Sequence, residues 1–448
     1  MRARPLAASL LLLLLAAGCG DIKTIAPGGG TSDGGLDAST EVGTVSLVMR
    51  GPFQGEEPFP GATMLILMPD GEVIGEDVTD DEGRASVDGV PHGAIMVVFI
   101  DLPAGGGSGL LNIAIYDVGP GDEIVFGRPS DDQGDLLGNM SIVLPGYKDP
   151  APIYHAASGC QENTATDPDF PTTVTLTFHE ACVIDDNTDI LAWVVGQSGD
   201  LLGFIDANEP FVSAEAMDLT GESWQSPATL AVTFSNVPTE VGDVGLETYQ
   251  MSGALEFGPL FSQNNPTPGT ELELAAPVPS SFGDSTEVML TFHPNQPTLG
   301  EQLIVHRTDD DIEWDLSAEL LPWYSSGVYS VEERRISWSR TGGREPDAHY
   351  IMYGWGVEGD DEPTRAWYTV SPPDRDELIL PPVPEEWEER LPVDPTVSVV
   401  QIYAPEASGV DGWDAARVKG FNLIGEDMVA REPVGSTWRM ALSVGAEF

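Results

Sequence analysis

Beyond residue 40, apolar side chains recur at every second position in short runs, most of them closed by glycine, proline or aspartate. Thr44 to Arg50 sets Val45, Leu47 and Met49 between polar neighbours, which is the period of a half-buried strand. Gly61 to Met68 is more continuously apolar and stops at Pro69-Asp70-Gly71, where proline and glycine supply the backbone angles of a turn. Val73 to Val78, Arg84 to Val87 and Ala94 to Asp101 follow, separated by Asp80-Asp81-Glu82-Gly83 and Gly89-Val90-Pro91-His92-Gly93. Further strands are predicted at Thr173–Phe178, Ile190–Val195, Thr229–Phe234 and Gly253–Phe257, and again at Ile336–Trp338, Tyr350–Trp355, Trp367–Val370 and Leu378–Pro382. No helical apolar period is sustained after residue 20. The predicted class is all-β, a series of tandem β-sandwich domains, and 448 residues suit about three cores.

The expected units are 42–130, 131–277 and 278–448. In the first, Pro58-Phe59-Pro60-Gly61-Ala62-Thr63 and Thr79-Asp80-Asp81-Glu82-Gly83-Arg84-Ala85, running into Gly89-Val90-Pro91-His92-Gly93, carry a resemblance to the carboxypeptidase regulatory-like domain, a transthyretin-like β-sandwich. In that family the unit is an accessory module, so the resemblance implies a structural or presenting role and brings no active-site residues. In the third unit, Ile336-Ser337-Trp338 followed by Tyr350–Trp355 loosely resembles fibronectin type III domains, where a buried tryptophan packs on the next strand's aromatic. Leu176-Thr177-Phe178-His179 is echoed by Leu290-Thr291-Phe292-His293, but four residues do not define a repeat.

The amino terminus follows a different rule. Arg2 and Arg4 precede an apolar stretch, Leu6 to Ala17, and small residues lead to Cys19; that order describes a secretory signal. The stretch is shorter than the roughly 20 residues a membrane-spanning helix needs. Leu15-Ala16-Ala17-Gly18-Cys19 resembles the lipobox of bacterial lipoproteins, with Ala16 where leucine is commonest. The resemblance implies a signal peptide over 1–18, lipidation of Cys19, and sorting to the outer membrane because Gly20 rather than aspartate follows. Residues 19–41, rich in Gly, Ser, Thr and Asp, read as a flexible lipidated tether spanning on the order of 25 Å. With Cys19 so used, Cys160 and Cys182 remain, and in an exported protein an even pair reads as a disulfide.

Charge narrows the partners. Asp and Glu number 73 against 19 Lys and Arg, a net of −54, so nucleic acid and anionic lipid are unfavourable. The surface is read as an acidic, solvated one. Dense carboxylates leave Ca²⁺ as the one cofactor worth testing, at Asp185-Asp186-Asn187 with Asp189, Asp309-Asp310-Asp311 with Glu313, or Asp360-Asp361-Glu362, although none has the spacing of an EF-hand loop. The six histidines form neither HxH nor HExxH, and the chain has no GxSxG elbow or phosphate-binding glycine loop. Eight of the ten tryptophans lie beyond residue 300. Most are expected in the core, with Trp355 and Trp387 as ligand-binding candidates, Trp387 because it sits among Glu385, Glu386, Glu388 and Glu389. The expected function is therefore that of a non-catalytic envelope lipoprotein, anchored in the membrane by lipid and presenting its domains to a polysaccharide or envelope protein. Carbohydrate binding or adhesion through the aromatic third unit is the first alternative. A hydrolase whose catalytic residues are dispersed in sequence is the second.

Overall fold

The computed structural model describes residues 41–51, 57–101, 110–127, 134–148, 152–165, 172–197, 199–253, 255–266, 269–356, 365–392, 397–419 and 433–443. Cys19, the signal segment, the tether and Asp360-Asp361-Glu362 lie outside the described residues. The fold is all-β, and its strands form packed sandwiches.

The first sandwich has seven strands in chain order: Val42–Met49, Thr63–Leu67, Val73–Val78, Arg84–Pro91, Ala94–Asp101, Leu110–Val118 and Glu123–Phe126. Strand one lies between strand four, antiparallel to it, and strand seven, parallel to it. The facing sheet runs three-two-five-six, all antiparallel. The second sandwich repeats this order with Leu136–Leu144, Ile153–Ala157, Glu162–Ala165, Thr172–His179, Asn187–Val195, Leu201–Pro210 and Ala216–Asp218. So does the third, with Ala228–Ser235, Val241–Ser252, Leu255–Pro266, Glu271–Val278, Ser285–Pro294, Gln302–Thr308 and Ile312–Asp315.

A fourth sandwich follows the same path through six strands: Arg335–Ser337, His349–Gly356, Arg365–Ser371, Glu377–Ile379, Val397–Ala407 and Thr437–Leu442. Beside its first strand, where the others place strand seven, Val328–Ser330 pairs antiparallel. One topology is thus used four times. The echo at Leu176–His179 and Leu290–His293 is no trace of this, since it falls on strand four of one sandwich and strand five of another.

The expected boundary at residues 277 and 278 is corrected by the hydrogen bonding. Ala228–Ser235 pairs with Glu271–Val278 on one side and with Ile312–Asp315 on the other, so the third sandwich straddles that point. Its core joins Val232, Phe234, Val244, Leu246, Leu290 and Ile312.

Three of the four-stranded sheets are fused. Strand three of the fourth sandwich pairs parallel with strand six of the first, from Arg365 opposite Leu110 to Val370 opposite Ile115. At the other end, Thr437–Leu442 pairs antiparallel with Gln302–Thr308 of the third. The result is one sheet of twelve strands. Ala94–Asp101 shows why its sequence is so continuously apolar: Met96, Val98 and Ile100 enter one core while Ile95, Val97 and Phe99 enter another on the opposite face. A strand covered on both sides reads as a hydrophobic run instead of alternating.

The second sandwich stands outside the long sheet and is held by packing. Trp193, Leu201 and Phe204 on its outer face meet Phe257, Leu260 and Phe282 of the third. Its own two sheets are joined by the Cys160–Cys182 disulfide, with Cα atoms 5.8 Å apart. Cys160 follows strand two in one sheet, and Cys182 closes a short 3₁₀ turn after strand four of the other. The bridge spans 22 residues, a loop whose closure stabilises by about 3 kcal/mol in the chain-entropy picture. Cys160→Ala/Cys182→Ala should therefore unfold at a lower denaturant midpoint, with the loss confined to the second sandwich; an unchanged midpoint would show that the bridge carries no stability.

Candidate functional site

Trp355 does not offer a binding surface. It is 1% exposed, on the core-facing side of His349–Gly356, and its ring lies nearly parallel to Tyr353 at 5.6 Å between centroids. Trp323, Trp338, Trp367 and Trp438 are buried as well, and Trp314, Trp387 and Trp413 are half-buried. The aromatic density of the carboxyl-terminal region therefore belongs mainly to its cores, as large rings in strands favour.

Trp387 sits in a 3₁₀ turn, Glu385–Arg390, whose carboxylates face solvent. Its indole stacks on Phe99 of the first sandwich, 4.4 Å apart and 15° from parallel. The Arg390 guanidinium lies 5.6 Å from the Phe99 ring centre and 5.5 Å from that of Trp387. Arg390 is itself buried, donating to Asp101 at 2.6 Å and to the Ile100 carbonyl at 3.4 Å. Its own carbonyl accepts from Trp367 Nε1 and Asn112 Nδ2. Apart from the Trp367 contact, which lies within the fourth sandwich, these polar contacts tie the fourth sandwich to the first. Trp387→Ala is expected to lower stability by about 1–3 kcal/mol through lost burial and stacking, read as a lower midpoint in urea.

The histidines are separated from one another and each is engaged differently. His155 stacks on Trp193 and contacts Glu162 at 2.8 Å. His293 bridges Glu301 at 3.0 Å and Asp243 at 3.7 Å on the surface. His306 contacts Thr437 Oγ1 at 2.8 Å, and burial lowers its pKa.

The pairing that sequence reading did not find is His349 with Ser371, directly opposite on adjacent strands of the fourth sandwich and both fully buried. His349 Nε2 is hydrogen-bonded to Tyr324 Oη at 2.8 Å, and the edge of Trp338 closes over the imidazole. Arg340, opposite Tyr324 in register, hydrogen-bonds that phenol and is paired at the surface with Glu345 and Asp376. A serine beside a histidine suggests acyl transfer. Here, however, the imidazole's neighbours are a phenol, an indole and a guanidinium rather than a carboxylate, and substrate cannot reach it. Only knowledge of which strands are neighbours reveals the pair, because 22 residues of sequence separate its members with no motif around either.

Burial, reinforced by the positive charge of Arg340, pushes the His349 pKa down to about 3, against about 6.5 in an unfolded chain. The unfolded state therefore binds a proton that the folded state refuses between these values. Stability is intact above pH 6.5 and falls as pH drops toward 3, by about 1.4 kcal/mol per unit. Replacing His349 with Gln should flatten this acid limb between pH 6 and 4 in chemical denaturation; an unaltered slope would mean that His349 does not set it.

Among the described residues, no three His, Cys, Asp or Glu side chains gather as a metal site. Several side chains of the two described acidic loops make local contacts. Asp185 and Asp186 adopt left-handed backbone angles in the turn between Ile184 and Asn187, Asp189 accepts from Asn208 and Ser252, and Asp311 accepts from the Ala231 amide.

No family model matches this chain, and no curated protein matches it. Among solved structures, the Bacillus anthracis TIE protein is similar over 61% of this chain and 49% of its own length, at 13% identity and a TM-score of 0.16. At that score the likeness carries no argument about fold or function.

Proposed function

We propose that this chain is a non-catalytic cell-envelope lipoprotein, anchored through Cys19 in the outer membrane and displaying a fused array of β-sandwiches to a polysaccharide or an envelope protein. The observation that carries this reading is how the residues capable of chemistry are used. Tryptophans fill cores and seams, His349 and Ser371 are enclosed, and arginines are drawn into ion pairs between elements. What the protein presents outward is shape and negative charge. The recurrence of one sandwich topology also suits the accessory character of the module that the first unit resembles. The carbohydrate-binding alternative is weakened because Trp355 is enclosed and Trp387 is stacked on Phe99.

Mass spectrometry of the mature protein is expected to find an acylated amino terminus at Cys19, and an unmodified or different terminus would end the lipoprotein reading. Incubating the soluble chain from Glu41 with envelope extract and polysaccharide fractions, with and without Ca²⁺, should retain a partner. Hydrolytic turnover that is lost on substituting a single histidine would replace this proposal with the hydrolase one.

A further inference from the structure

The fourth sandwich places a group of neighbouring polar side chains in its core. The inward positions of strand two include Met64 and Ile66 in the first, Tyr154 and Ala156 in the second, and Val244, Leu246 and Thr248 in the third. In the fourth the same strand begins with His349, and the adjoining strand three turns Thr369 and Ser371 to the same face. Both hydroxyls are fully buried, and Thr369 Oγ1, Ser371 Oγ and Trp338 Nε1 have no hydrogen-bond partner among the described residues. They lie together. Ser371 is opposite His349, Thr369 is two residues along the same face, and the Trp338 ring centre is 5.4 Å from that of His349.

The surrounding residues are small where space would be needed. Thr369 is flanked on its other side by Ala114, and Ala404, paired with Ala441, belongs to the same core. A buried hydroxyl or indole N–H without a partner is costly, and native proteins satisfy such groups with protein or ordered water. Internal water occurs at about one molecule per 27 residues, in polar pockets offering two to four partners.

We propose that Thr369, Ser371 and Trp338 form an internal hydration site in the fourth sandwich, holding ordered water beside the Arg340–Tyr324–His349 chain. The water accepts from the indole N–H and bridges the two hydroxyls, so the polar line that begins at the surface ion pairs of Arg340 ends in solvent that is part of the structure. The site is closed, and its ligand is water rather than a substrate.

Thr369→Val in the full mature chain tests this, because valine keeps the shape and removes the hydroxyl. If water is bound there, the variant loses a bridging partner and its Tm falls by about 1–3 °C. If the site is dry, the variant relieves an unsatisfied hydroxyl, and an unchanged or raised Tm overturns the proposal. A crystal structure of the unaltered protein gives an independent reading. A solvent peak within about 3.2 Å of Thr369 Oγ1 or Ser371 Oγ supports the site, whereas continuous protein packing or density for a larger ligand there refutes it.

Discussion

An exposed strand edge presents unpaired amides and carbonyls, and the way the sixth-strand edges are closed organises the whole molecule. In the first and third sandwiches that edge is completed by the fourth, through Arg365–Ser371 at one end and Thr437–Leu442 at the other. The fourth sandwich cannot be lifted out without opening both neighbours. In the second, the corresponding edge is closed locally. Tyr147 donates to the Leu202 carbonyl, Phe204 exchanges two backbone hydrogen bonds with Gln225, and the strand runs out in Asn208-Glu209-Pro210. A proline at the strand end lacks the amide that further pairing would use. This sandwich consequently stands beside the long sheet instead of within it.

Cations are scarce, 19 against 73 acidic residues, and several occupy seams. Arg390 joins the Glu385–Arg390 turn to Asp101, and Arg417 on the Gly412–Lys419 helix reaches Asp122 of the first sandwich. Arg439 on the closing strand is held by Glu406 and by Glu319 of the short Leu316–Glu319 helix. Arg307 binds Asp284 at 2.8 Å. All four guanidiniums are largely buried, and their planar, multiply donating form suits such places better than the ammonium of lysine, of which the chain has three. Losing one partner would strand a charge in the interior, which costs far more than breaking a surface pair.

Much of the fold was legible in sequence because strand endings are local events. Pro69-Asp70-Gly71, Asp80–Gly83 and Pro91–Gly93 lie at observed turns, and Gly71, Gly83 and Gly93 have the positive φ that such turns use. The Cys160–Cys182 disulfide was legible from the cysteine count. Neighbourhood between distant strands left no local mark, so neither the fourfold topology nor the His349–Ser371 pairing could be read. The boundary at 277 and 278 fell within a run of short strands that carries no local sign of where one sandwich ends, and the third sandwich closes only at Ile312–Asp315. Trp355 illustrates the same gap: its composition suggested a ligand platform, and only its register with Arg365 and Ser398 shows the strand to be flanked on both sides.

The parallel seam between the first and fourth sandwiches has a consequence in time. Asn112 donates to the carbonyl of Ala366, a partner 254 residues later in the chain. As the polypeptide emerges from its amino end, the first sandwich must wait, with one edge unmatched, until nearly the whole sequence is available. Contacts of such long sequence separation are closed slowly. The second sandwich, whose strands pair only among themselves and whose disulfide spans a short loop, can reach its native form meanwhile. The long sheet is therefore complete only once Thr437–Leu442 has taken its place between Gln302–Thr308 and Val397–Ala407.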